Sequence, residues 1–179
     1  MNRPHESPTI LGVDPGSVAT GWALVAGTPE RPRVLACGVI KAIARRPFSE
    51  RLAVIQDRFV EILTEYRPAQ AAVESLFHGV SARSALQLAH ARGVILAALS
   101  RAGVSIAEYS PAEVKKTVTG SGRATKDQVA YMVERLTGTK SSSRDLTDAI
   151  AVALCHQTHH RVVHSIQRRT VAIGENTRK

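Results

Sequence analysis

Four carboxylates carry the chemistry this sequence could perform. Asp14 closes the short apolar run from Thr9 and precedes the turn triplet Pro15-Gly16-Ser17, and Glu74 closes a second small-and-apolar run, Ala69 to Val73. Asp145 and Asp148 lie three residues apart in a helical stretch, which puts both on one face. Acids gathered at one place repel one another and raise their pKa values until a cation neutralises them. A set of carboxylates alone suits hard, oxygen-seeking Mg²⁺, with Mn²⁺ as a substitute. Two such ions about 3.5–4 Å apart can assist an in-line phosphodiester displacement.

Each acid also has a purely structural role open to it. Asp14 before Pro-Gly can shape a turn, Glu74 can be a solvated strand end, and Asp148 an exposed helix charge. Ser142-Ser-Arg-Asp145 fits a capping box, in which an acid serves the helix start alone. Spacing by itself leaves these alternatives standing.

The elements that must position the acids follow from periodicity. Thr9–Asp14, Thr20–Val25 and Val34–Ile40 read as three strands of an antiparallel meander, with a proline-bearing turn around Pro29 and Pro32. Phe48, Leu52, Ile55, Phe59, Ile62, Leu63 and Tyr66 form a helical stripe that stops before Pro68. Ala69–Val73 is a strand, Ser81–Arg101 a helix and Val104–Tyr109 a fifth strand. If the strands ending in Asp14 and Glu74 are parallel neighbours, both acids leave the sheet at one edge, where open sheets place their sites. Ser110-Pro-Ala-Glu113 and Thr125-Lys-Asp-Gln128 are capping boxes that start two more helices, and Gly120-Ser-Gly-Arg123 connects them. The last helix is expected over about Arg144 to His156, under the acid pair.

The chain has 179 residues, 24 basic and 15 acidic, a net charge of +9 and a pI near 10.3. That balance favours polyanionic partners, nucleic acid before anionic membrane. No run of about 18 apolar residues and no signal segment is read. Cys37 and Cys155 sit singly in apolar runs, as buried thiols of a reducing cytoplasm do. The expected organisation is a loose leader over 1–8, one domain over 9–156 and a His- and Arg-rich, disordered tail over 157–179. A solvated extension suits the tail histidines better than a metal site.

Taken together, the motifs resemble the RuvC family of Holliday-junction resolvases. Ile10-Leu-Gly-Val-Asp-Pro-Gly-Ser17, with Gly21 to Leu24 following, is similar to the family's first acidic strand. Ala72-Val-Glu-Ser-Leu-Phe77 is similar to the segment with the second acid and a nearby aromatic. Tyr109, Val114 to Gly120 and Lys126 resemble the basic stretch, and Asp145-Leu-Thr-Asp148-Ala-Ile-Ala the closing helix. The resemblance spans roughly Thr9 to His156. Ser75, where relatives often carry glutamine, departs from the pattern without removing an acid.

The resemblance implies a ribonuclease H-like α/β fold, a mixed five-stranded sheet flanked by helices. It implies a cytoplasmic homodimer that nicks four-way DNA junctions symmetrically in recombination and repair, alongside a branch-migration helicase complex. Asp14, Glu74, Asp145 and Asp148 would hold two Mg²⁺ ions per site, Mn²⁺ substituting. Lys115 and Lys126 would stand near the scissile phosphate, Phe77 against bases near the crossover, and Lys116 and Arg123 on phosphates. Core packing is an equal reading of Phe77, and surface charge the plain reading of the lysines.

Three rivals separate on observable grounds. A sugar kinase or related ATPase needs a second phosphate loop and a far longer chain. A ribonuclease H-like enzyme that trims ribosomal RNA precursors would make a single-site cut in RNA. A non-enzymatic junction binder would behave identically after Asp14→Asn or Asp148→Asn.

Overall fold

Residue parity along the first strand decides what covers each face of the sheet. In β1 (Ile10–Asp14), Leu11 and Val13 are buried on one side, and Ile10, Gly12 and Asp14 take the other. The computed structural model describes residues 8–75, 81–141 and 143–176, with side chains as far as His160. β1 pairs antiparallel with β2 (Ala19–Thr28) and parallel with β4 (Gln70–Glu74). With β3 (Arg31–Lys41) and β5 (Ser105–Tyr109) at the edges, the order is β3-β2-β1-β4-β5. This is the mixed, ribonuclease H-like sheet that the resemblance implied.

Helices α1 (Phe48–Tyr66) and α2 (Ala82–Arg101) cover the Leu11 and Val13 face around buried Ile55, Phe59, Ile95 and Leu99. Helices α3 (Pro111–Thr119), α4 (Lys126–Thr137) and α5 (Arg144–Asn176) cover the other. Both expected capping boxes form: Ser110 with Glu113 starts α3, and Thr125 with Gln128 starts α4. The β2–β3 turn is shorter than expected. It consists of Pro29 and Glu30, and Pro32 lies within β3 opposite Gly27. An edge strand tolerates the missing donor.

α5 crosses the sheet at close range because one row beneath it is small. Ala23, Gly12, Ala72 and Ala107 stand side by side across β2, β1, β4 and β5. A Cβ on Gly12 would lie 2.2 Å from the Ala149 carbonyl oxygen. Ala149 to Cys155 are all buried against this row.

One expectation about the ends of the domain changes. α5 runs on through the segment read as a disordered tail, to Asn176, so the boundary placed at His156 falls inside a helix. The reason lies in its next turn: buried Gln157 donates its Nε2 to the Gly27 carbonyl at 2.8 Å, and His160 meets Gln70. The leader lies outside the described residues apart from exposed Pro8. Cys155 is buried as read, whereas Cys37 is half-buried. Among the described residues no helix is long and apolar enough to cross a membrane.

Candidate active site

Asp14 and Glu74 end neighbouring parallel strands, one position beyond the paired Val13 and Val73. Both share parity with Gly12 and Ala72, so both rise toward α5. Their side chains hydrogen-bond to each other. α5 brings its first two turns over the same edge, because Gly21, the β2 partner of Asp14, has no side chain. A Cβ there would lie 2.0 Å from the Asp145 carbonyl oxygen. This glycine is a positioning residue that acid spacing alone does not reveal. Replacing it by Ala should leave a folded chain with α5 lifted and phosphodiester cutting down by about 100-fold. Wild-type rates in a folded Gly21→Ala protein would show that Asp145 does not depend on this contact.

The acids act on one another electrostatically. Burial, then Glu74, Asp148 and Asp145, push Asp14 up from its ordinary 3.8 to about 8. Burial and Asp148 also raise Glu74, opposed by the Asp14 hydrogen bond, Lys126 and Lys115. The proton of the pair therefore favours Asp14. Asp145 acts on Asp14 more weakly than the other two acids do.

Of the basic candidates, Lys126 comes nearest. Its Nζ lies 3.2 Å from Asp148 Oδ2, and that carboxylate is the main reason its pKa is raised. Lys126 opens α4, where a cation is unfavourable to the helix dipole, so the acid edge is what rewards its position. Half-buried Lys115 on α3 acts on Glu74 electrostatically. Lys116 on α3 and Arg123 before α4 are exposed, and no contact joins them to the acids among the described residues. Phe77 lies outside the described residues. The capping box weighed for Asp145 rests on Ser142, which lies outside the described residues. α5 begins at Arg144 with Asp145 in its first turn, and the Ser143 carbonyl accepts a helical bond from the Thr147 amide.

A further support went unread in the sequence. Arg92 of α2 donates its Nε to the Glu74 backbone carbonyl at 3.3 Å and its Nη2 to the Glu108 carboxylate on β5. Its guanidinium thus clamps the strand end that presents Glu74.

The donor set fits a hard divalent cation in chemistry and charge. It is all carboxylate oxygen, it is partly buried, and neighbouring acids together with burial push Asp14 and Glu74 toward the protonated form. Among the described residues no three acid, histidine or cysteine side chains are already drawn into a metal-holding cage. Lys126 is the cation paired with this set among the described residues, through Asp148.

A ribonuclease H-like sheet with acids at the ends of its central parallel strands defines the class. Residues 10–156 match the family model for crossover junction endodeoxyribonuclease RuvC. The crossover junction endodeoxyribonuclease RuvC of Anaeromyxobacter sp. (strain Fw109-5) is 47% identical over 82% of this chain and 71% of its own. That of Halorhodospira halophila is 44% identical over 85% of this chain and 90% of its own. The structure of T. thermophilus RuvC in complex with Holliday junction substrate matches with a TM-score of 0.80 at 35% identity, covering 87% of this chain and 96% of that one. The chain belongs to the RuvC family of metal-dependent nucleases.

Proposed function

We propose that this chain resolves four-way DNA junctions by hydrolysing one phosphodiester in each of two opposed strands. The observation that carries the reading is the half-buried acid group over the β1–β4 edge, in a chain of this family. Asp14, Glu74, Asp145 and Asp148 would hold two Mg²⁺ ions, or Mn²⁺, which when bound supply positive charge at the scissile phosphate. Lys126 pairs with the Asp148 carboxylate and orients it, and with Lys115 adds cationic charge where the transition state gains negative charge. Arg92 and Gly21 hold Glu74 and Asp145 in place. Phe77 is assigned to base contact at the crossover, and Lys116 and Arg123 to phosphates.

A two-fold junction calls for two equivalent sites, which supports a homodimer. A cytoplasmic setting beside the branch-migration helicase follows from the same family reading, and the nuclease domain is taken as 9–156 plus the packed start of the following turn. The ribosomal-RNA reading is not favoured, since the named relatives are junction endonucleases.

The deciding experiment is cleavage of a labelled synthetic mobile four-way junction with Mg²⁺, Mn²⁺ or chelator. Paired symmetric nicks that need the metal are expected. An uncut junction, or cutting of structured RNA instead, would refute the assignment. Binding should also weaken steeply with salt, because each neutralised phosphate releases counterions and steepens the slope of log K against log salt by about 0.9. A flat response would contradict the phosphate roles of the basic stretch.

A further inference from the structure

Beside the acid edge, on the side away from α4 and α5, the connection from β3 to α1 carries an uncompensated basic cluster. Residues 41–51 read Lys-Ala-Ile-Ala-Arg-Arg-Pro-Phe-Ser-Glu-Arg, with four cations against one acid. Arg46 takes that acid, Glu50, at 3.2 Å across an exposed pair. Lys41 and Arg45 are exposed. Arg51 is only 8% exposed, and its Nε and Nη2 are buried with no partner among the described residues.

Sheet register fixes where this cluster lies. Asp14 pairs with Gly21, Gly21 with Val39, and Lys41 stands two residues further along β3. Two strand spacings and two residues of rise put the Lys41 backbone roughly 12 Å from that of Asp14. The loop is tied to the turn that follows Asp14, since the Ala42 amide donates to the Val18 carbonyl at 2.8 Å.

A solvated charged loop is the ordinary alternative, but it has no need of a buried arginine. Here the Arg51 guanidinium sits beneath the loop, its Nη1 3.4 Å from the Ala44 carbonyl and its Cζ 5.2 Å from the Phe48 ring centroid. It holds the loop's shape and places unpaired positive charge under it, a costly arrangement unless an anion approaches. B-DNA carries one phosphate per about 1.7 Å of axis, so an arm leaving the acid edge passes several phosphates within this reach.

We infer that the β3–α1 loop, through Lys41, Arg45 and Arg46 over Arg51, is a second phosphate-binding surface that grips a duplex arm beside the cleavage site. This rests on the junction-nuclease reading above. The test is anisotropy with a labelled synthetic four-way junction in chelator, across a salt series, using the full chain. The combined Lys41→Ala, Arg45→Ala, Arg46→Ala protein should bind at least tenfold more weakly, with a log–log salt slope shallower by about 2–3. The charge-retaining set Lys41→Arg, Arg45→Lys, Arg46→Lys should return close to wild type. An alanine protein equal to wild type in affinity and slope overturns the inference while the nuclease reading stands. So does a charge-retaining protein as weak as the alanine one, because shape and not charge would then matter. A wild-type chain that neither binds nor cuts the junction overturns both.

Discussion

Asp14→Asn should lower junction cutting by roughly three orders of magnitude or more, about 4 kcal/mol of transition-state stabilisation, while junction binding survives. The carboxylate sits at the centre of the group, bonded to Glu74 and within electrostatic reach of Asp148 and Asp145. Asn preserves its size and removes the charge that a divalent cation would meet. Glu74→Gln and Asp148→Asn should behave alike, and Asp148→Asn additionally frees Lys126 from its 3.2 Å pair. Asp145→Asn is the sharper case. In the first turn of α5 the lost charge costs only about 0.3–1 kcal/mol of helix-dipole interaction, so lost activity in a chain of nearly unchanged stability would assign the carboxylate to the site. Single-turnover cutting and binding, measured side by side, give both readouts. A variant that still cuts at the wild-type rate removes its residue from the metal-holding set.

The same substitution should stabilise the protein in chelator. A carboxyl whose pKa rises from 3.8 unfolded to about 8 folded holds its proton more tightly in the native state. Between those values the folded chain binds more protons than the unfolded one, so stability falls as pH rises through the window. Below pH 4 the penalty is absent, and near pH 8 it is fully present. Asp14→Asn abolishes the charge and with it the penalty. The full shift is worth about 5 kcal/mol by pH 8. With the acid partly exposed and screened by solvent, the gain should be on the order of 3 kcal/mol, or roughly 6–12 °C in Tm for a domain of this size. The gap between variant and wild type should shrink toward pH 4. It should also narrow with Mg²⁺ at pH 8, because a cation that binds only the folded wild type stabilises it. Thermal melts at several pH values, with chelator or Mg²⁺, make the comparison. Equal Tm values in chelator at pH 8 would show that Asp14 is not held at a cost.

The two predictions have one cause. Acids held close enough to gather cations are acids that resist folding together, and the fold must offset that repulsion elsewhere. The tight seat of α5 on Gly12 and Gly21, and the Arg92 clamp on the Glu74 strand, are two places where it does so.

Much of this arrangement is legible in local patterns, since local patterns are governed by near-neighbour physics. The capping boxes at Ser110 and Thr125, the stripe from Phe48 to Tyr66 and the strand ends at Asp14 and Glu74 each depend on residues a few positions apart. The same holds for the face shared by Asp145 and Asp148. Pro32 misleads because a proline reads as a turn unless its strand is known to lie at an edge, which is a property of the whole sheet. The helix beyond His156 escapes local patterns for a related reason. Its polar residues look unfit for packing until Gly27 and Gln70 supply partners from distant strands.

By itself, then, the amino-acid sequence determined the acids, the elements that carry them and, through its motifs, the family. Tertiary structure alone decided that Asp14 and Glu74 share a hydrogen bond and that Asp148 pairs with Lys126. It also placed Asp145 over Gly21, Arg92 behind Glu74 and a basic loop beside the same edge. These are contacts between residues far apart in the chain, set by strand order and by how closely a helix can approach a sheet, and no local periodicity encodes them.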